Sequence, residues 1–131
     1  MTAGISAKHG KTAEHQAAKM LRRAGLKILH RNYRAPRGEI DIIADDDGTL
    51  VFAEVRLRTH TAFGRPDETI TKRKQQSIAR AAEHYLASET KHRQHQSQPC
   101  RFDAICLAPT EDNSGKYTME WLRDAFRLDD H

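Results

Sequence analysis

No apolar run in these 131 residues approaches the roughly 18–20 that a membrane helix needs, and no hydrophobic signal-peptide region opens the chain. Cysteine is nearly absent. Cys100 and Cys106 are the only two, too few for a disulfide scaffold or a cysteine-built zinc site, and they read as ordinary small apolar residues. Aromatics are scarce at 6%, and there is no internal repeat or domain boundary. What remains is a polar globular composition, 37% hydrophobic and 31% charged, of a length usual for one domain. A soluble protein of a reducing cytoplasm, without a membrane partner, is the expectation.

The charge is unevenly distributed. Residues 1–37 carry nine Lys/Arg and one acid, Glu14, whereas residues 38–55 carry six acids and no Lys or Arg. Residues 56–101 return to ten Lys/Arg against four acids. An acidic segment between basic ones suits a protein that attracts a polyanion and holds a cation at one spot. A well-solvated surface with chance clustering accounts for the same numbers.

Residues 1–10 lack periodicity and read as a flexible tail, leaving 11–131 as a single domain. Ala13, Ala17, Met20, Leu21 and Ala24 recur at helical spacing, and Gly25 supplies a stop. A short strand over 27–34 is broken at Ala35-Pro36-Arg37-Gly38. Residues 39–44 and 50–57 alternate as strands around a 46–49 hairpin loop. A long helix over 68–86, a strand over 101–107 and a last strand over 116–122 complete an α-β-β-β-α-β-β order, an α/β layer structure.

With residues 46–49 unpaired, Ala44 faces Val51, Asp41 falls opposite Glu54, and Glu39 falls opposite Arg56. Alternation puts Glu39, Asp41, Glu54, Arg56 and Arg58 on one side of the hairpin. Ile40, Ile42, Val51, Ala53, Val55 and Leu57 take the other, the expected core side. Like charges directly opposite destabilise a ladder, so something must offset the Asp41–Glu54 pair. A divalent cation does so with one or two carboxylates, waters and phosphate oxygens as ligands. A solvated strand face with Glu–Arg pairing is the alternative. His84, His92, His95 and His131 have no spacing that favours zinc. Lys72, Arg73, Lys74 and Arg80 suit either a phosphate-backbone groove or a solvated helix face.

Gly38-Glu39-Ile40-Asp41-Ile42-Ile43-Ala44 followed by Val51-Phe52-Ala53-Glu54-Val55-Arg56 resembles the GEID…FVEVK signature of the YraN-like family of bacterial proteins. That family is similar to the PD-(D/E)xK, or restriction-endonuclease-like, nucleases and to archaeal Holliday-junction resolvases. The resemblance spans nearly the whole chain. Gly10, Glu14 and Leu21-x-x-x-Gly25 match the first helix, and Arg31-Asn32-Tyr33-Arg34 the first strand. Phe63-Gly64 and Lys72-x-Lys74 match the loop and second helix, and Arg101-Phe102-Asp103 the strand that follows.

The resemblance implies a restriction-endonuclease-like αβββαβ core with a central mixed sheet flanked by helices. It implies Asp41 and Glu54 as ligands of Mg²⁺ or Mn²⁺, the Val55 main-chain carbonyl as a third ligand, and Glu14 as an acid reaching the metal directly or through water. The chemistry implied is phosphodiester hydrolysis by a metal-activated water. The motif lysine is Arg56 here. Arginine stays protonated, so it retains only transition-state stabilisation among the roles open to lysine. Arg58 lies about 6–7 Å further along the strand and is a poor substitute. Arg34, Arg58, Lys72, Arg73 and Lys74 are the candidate DNA contacts. The expectation is a metal-dependent nuclease acting on branched or otherwise non-duplex DNA. Its alternatives are a nucleic-acid-binding protein weakened in cleavage by Arg56, and a non-catalytic adaptor. Trp121, Tyr117 and Phe126 read as core or as an apolar edge near the C-terminus, and such an edge offers a homodimer contact.

Overall fold

The computed structural model describes residues 7–57, 70–89, 98–112 and 114–127. Helix α1 spans Ala7–Arg23, followed by strands β1 (Lys27–Ala35), β2 (Gly38–Asp46) and β3 (Thr49–Leu57). Helix α2 (Lys72–Glu89) leads into β4 (Cys100–Pro109) and β5 (Tyr117–Phe126). The five strands form one sheet in the order β1-β2-β3-β4-β5. The pairs are antiparallel except β3–β4, which is parallel and is bridged by the α2 crossover. The expected αβββαβ core, a mixed sheet with a helix on each face, is present and carries β5 as an added edge.

Local chemistry accounts for the boundaries. α1 begins at Ala7, earlier than its apolar periodicity marks, and ends in a Schellman arrangement: Gly25 takes φ +98°, and Leu26 N donates to Leu21 O at 3.0 Å. Between β2 and β3, Asp47 (φ +51°) and Gly48 (φ +98°) make a two-residue turn of the type that matches strand twist. Pairing therefore runs one step beyond expectation, to Asp46↔Thr49, while the register that sets Ala44 against Val51 is as expected.

Each sheet face has its own core. On the α1 side, Ala13, Ala17, Ala18, Leu21 and Leu26 meet Ile42, Ala44, Val51, Ala53, Ile105 and Leu107. The small alanine stripe lets the helix lie close to the strands. On the α2 side, Ile78, Ala81, Ala82 and Tyr85 meet Ile40, Ile43, Leu50 and Phe52. The second layer corrects the expected division of the hairpin into one apolar and one polar face. Ile40 lies on the α2 side, opposite Ile42's layer, because regular pairing between β2 and β3 stops at Ile42↔Ala53.

Asp103 interrupts the apolar run of β4 yet is fully buried. Its carboxylate accepts from Arg101 Nε at 3.0 Å, Trp121 Nε1 at 2.9 Å and Asp124 N at 2.9 Å. Asp124 adopts φ +56°, and the β4–β5 register shifts between Phe102 and Ala104. Arg101 also reaches Asp46 Oδ2 at 2.9 Å, tying the β2–β3 hairpin end to β4. Tyr117, Trp121 and Phe126 all lie against the two cores rather than standing free.

Gly38 sets how closely α2 approaches. A Cβ there would collide with the backbone carbonyl of Ser77, a rigid obstacle. Glu39 N donates to Ser77 Oγ at 3.3 Å, so the start of β2 is seated directly on the helix. Replacement by alanine forces a shift of packed backbone, for which overpacking costs about 1–3 kcal/mol. Gly38→Ala is therefore expected to lower the urea midpoint by a corresponding amount. A loss below about 0.5 kcal/mol, the range of ordinary surface substitutions, would remove the close contact from the account.

Candidate metal centre

Asp41 and Glu54 come from adjacent antiparallel strands at the place where regular pairing ceases. Both ladders of β2 omit Asp41: β1–β2 passes from Arg31↔Ile42 to Tyr33↔Ile40, and β2–β3 ends at Ile42↔Ala53. The Asp41 carboxylate takes up a hydrogen bond the ladder has given up, with Val55 N donating to Oδ2 at 2.8 Å. On the other flank, Asn32 adopts φ +54°, a conformation asparagine tolerates better than most residues. Asn32 Nδ2 donates to Glu14 Oε1 at 2.9 Å, and Arg31 lies 3.4 Å from the same oxygen. Thus α1, β1, β2 and β3 each contribute to one acidic region.

Burial makes these acids expensive to ionise. Glu54 is only 4% exposed, and desolvation with the Asp41 charge raises its pKa to about 8. Asp41 is also raised, chiefly by desolvation, against the opposing effect of the Val55 N–H. A proton on Glu54 is shared with Asp41, so the pair titrates as a unit. Glu14 is raised by its own burial and then by the Asp41 charge.

Two cations partly offset the acids. Arg56 Nη1 lies 3.7 Å from Glu54 Oε2, and Lys74 Nζ, from α2, lies 3.6 Å from the same oxygen. Lys74 is also 3.8 Å from Glu39 Oε2. The other Glu54 oxygen, Oε1, is buried and receives no hydrogen-bond donor among the described residues. A buried, orphaned carboxylate oxygen beside a second carboxylate fits a hard divalent cation, which takes oxygen ligands and retains several waters. Asp41 and Glu54 are the residues that would hold it. Among the described residues no three His, Cys, Asp or Glu side chains gather as a metal cluster. Glu14 instead faces Asn32 and Arg31, an arrangement that suits contact through water.

The remaining expected site residues divide by location. Val55 stands beside Asp41 through its N–H. Arg34 is exposed on β1, across the ladder from Glu39. Lys72 and Arg73 are exposed in the first turn of α2, whereas Lys74 is drawn in among the carboxylates. Arg58, Phe63-Gly64, His92, His95 and His131 lie outside the described residues. His84 Nδ1 is 2.8 Å from the Tyr33 hydroxyl. Sequence reasoning assigned no role to Asn32; an asparagine inside a strand, opposite an acid, was the available signal.

Residues 13–107 match the model of the uncharacterised protein family UPF0102. The chain is 40% identical over 117 residues to a UPF0102 protein of Alcanivorax borkumensis, covering 89% of this chain and 90% of that one. It is 44% identical over 117 residues to one of Nitrosomonas eutropha, covering 89% and 91%. It is likewise 44% identical over 121 residues to one of Cupriavidus pinatubonensis, covering 92% and 86%. No helix among the described residues is long and apolar enough to cross a membrane.

The Glu54 shift has a measurable sign. Between its ordinary value of 4.5 and its folded value of about 8, the folded metal-free protein holds a proton that the unfolded chain has released. This contribution to stability is complete below the lower value and is lost as pH rises through the upper one. In EDTA, the melting temperature should therefore fall from about pH 5 to about pH 8.5, with a flatter profile in Glu54→Gln or under saturating Mg²⁺. An equally steep profile in Glu54→Gln would show that another group is responsible.

Proposed function

We propose that this member of family UPF0102 is a divalent-metal-dependent DNA nuclease acting on branched or otherwise non-duplex DNA. Half-buried Asp41 beside buried Glu54, whose Oε1 has no donor among the described residues, is the observation that carries this reading. The pair is costly for a metal-free fold, and a bound cation reverses that cost. When bound, Mg²⁺ or Mn²⁺ supplies an acidified water and neutralises charge on the phosphate.

The protein's own groups then have distinct tasks. Asp41 is oriented by the Val55 N–H, and Glu54 is held between Arg56 and Lys74. The Val55 main-chain carbonyl is the proposed third protein ligand, and Glu14 is the proposed acid on the water side. Arg56 donates to the phosphate as charge builds on its oxygens. As the water oxygen bonds to phosphorus, the bond to the leaving sugar oxygen breaks; solvent takes the water's proton and returns one to the leaving oxygen. Arg34, Arg58, Lys72 and Arg73 are the proposed contacts to the DNA backbone, which fix register rather than sequence. Action on non-duplex DNA follows from the likeness of the signature to junction resolvases and from the lack of any base-reading module in the sequence.

A second reading is supported by the replacement of the motif lysine by Arg56: binding of the same DNA with little cleavage. One experiment separates them, with titration of Mn²⁺ into wild type, Asp41→Ala and Glu54→Ala alongside cleavage of four-way junctions, flaps, single strands and duplex. The nuclease reading expects metal binding to vanish in both variants and cleavage to fall by roughly 100-fold or more. Binding without cleavage would leave wild type inert and DNA affinity intact in both variants. That affinity would decline steeply with salt. Absence of both metal and DNA affinity would leave only an adaptor whose acids pair with arginines.

A further inference from the structure

α2 begins against a local rule. Lys72, Arg73 and Lys74 occupy its first turn, which contains no acid, although the helix dipole disfavours cations at that end. The turn is nevertheless well formed: Thr71 Oγ1 accepts from Lys74 N at 3.1 Å as an N-cap. A local violation kept in an otherwise consistent fold is characteristic of a functional position. Of the three, Lys74 is half-buried and points at Glu54 and Glu39, while Lys72 and Arg73 are exposed.

Its position is fixed by packing. The Gly38–Ser77 contact seats α2 on the start of β2, and Lys74 lies one turn before Ser77. Its ammonium has three donors, and the two carboxylates stand at ion-pair distances of 3.6 and 3.8 Å, too long for hydrogen bonds, so neither commits an N–H that a ligand would need. Arg56 reaches the same Glu54 oxygen from the strand, but with a longer, planar group.

We propose that Lys74, carried by α2, supplies the compact cation that the nuclease motif normally carries on the strand at position 56, and that it binds the substrate phosphate beside Glu54. This rests on the metal-dependent nuclease reading for its substrate. It concerns a catalytic residue in the strict sense, since the ammonium contacts the phosphate.

The test uses the full chain loaded with Mn²⁺ and thymidine 5′-monophosphate as a phosphate probe, titrated calorimetrically, with single-turnover junction cleavage measured in parallel. Variants are Lys74→Met, Lys74→Arg and Lys74→Met combined with Arg56→Lys, each compared by thermal melt to establish folding. Loss of one charge-assisted hydrogen bond is worth about tenfold or more, so Lys74→Met should bind the nucleotide at least about tenfold more weakly. Its Mn²⁺ affinity should be unchanged or tighter, because a neighbouring positive charge has gone. The double variant should regain most of the nucleotide affinity by returning a lysine to the strand, and Lys74→Arg should fall between the two. Nucleotide binding by Lys74→Met equal to wild type, or no binding by wild type, overturns the proposal. If wild type binds the nucleotide through Lys74 but cleaves no DNA, the nuclease reading fails while the assignment of Lys74 stands.

Discussion

Two carboxylates held side by side out of water cannot both be ionised without a cation, and the centre of this molecule is organised around that constraint. Asp41 and Glu54 lie just beyond the last regular pair of β2 and β3, Ile42↔Ala53, with Glu54 buried and Asp41 half-buried. Desolvation raises both pKa values, and the Asp41 charge raises Glu54 further, whereas the hydrogen bond with Glu54 pulls Asp41 back down. The surrounding cations lie more than 3.5 Å from the nearest Glu54 oxygen, so they temper the repulsion without closing the site.

The fold bends to accommodate this pair. β2 gives up regular pairing at Asp41 on both flanks, and the lost order is recovered by side chains: Val55 N–H on Asp41, Asn32 on Glu14. Such a break inside a five-stranded sheet is sustained by the two cores on either side of it. Ile40 and Ile42, two residues apart, anchor opposite layers and hold Asp41 between them. Backbone strain at Asn32 is local, whereas the packing that retains it is distributed over both helices.

The sequence made the element order and the hairpin register legible, because alternation and turn residues are local properties; the expected Asp41–Glu54 ladder pair is missing, since regular pairing stops at Ile42↔Ala53. The signature pointed correctly to the family. Ile40's change of side was not legible, since it depends on where β2 separates from β3 and on the helix seated against Gly38. Lys74 posed the same difficulty. On sequence it is one of several basic residues on a helix, and only the crossover from β3 to β4 carries it to Glu54. By sequence Asp103 only interrupts an apolar run; its partners Trp121 and Asp124 are about 20 residues away and adjacent across a ladder.

That buried aspartate gives the protein an internal optical reporter. Trp121 is the single tryptophan, its indole N–H is fixed to Asp103, and the Arg123 guanidinium lies 4.1 Å from its ring centroid. Its emission therefore senses the seam between β4 and β5, two strand positions from Glu54 on β3. Opening of the sheet's far edge can accordingly be followed in the unlabelled molecule.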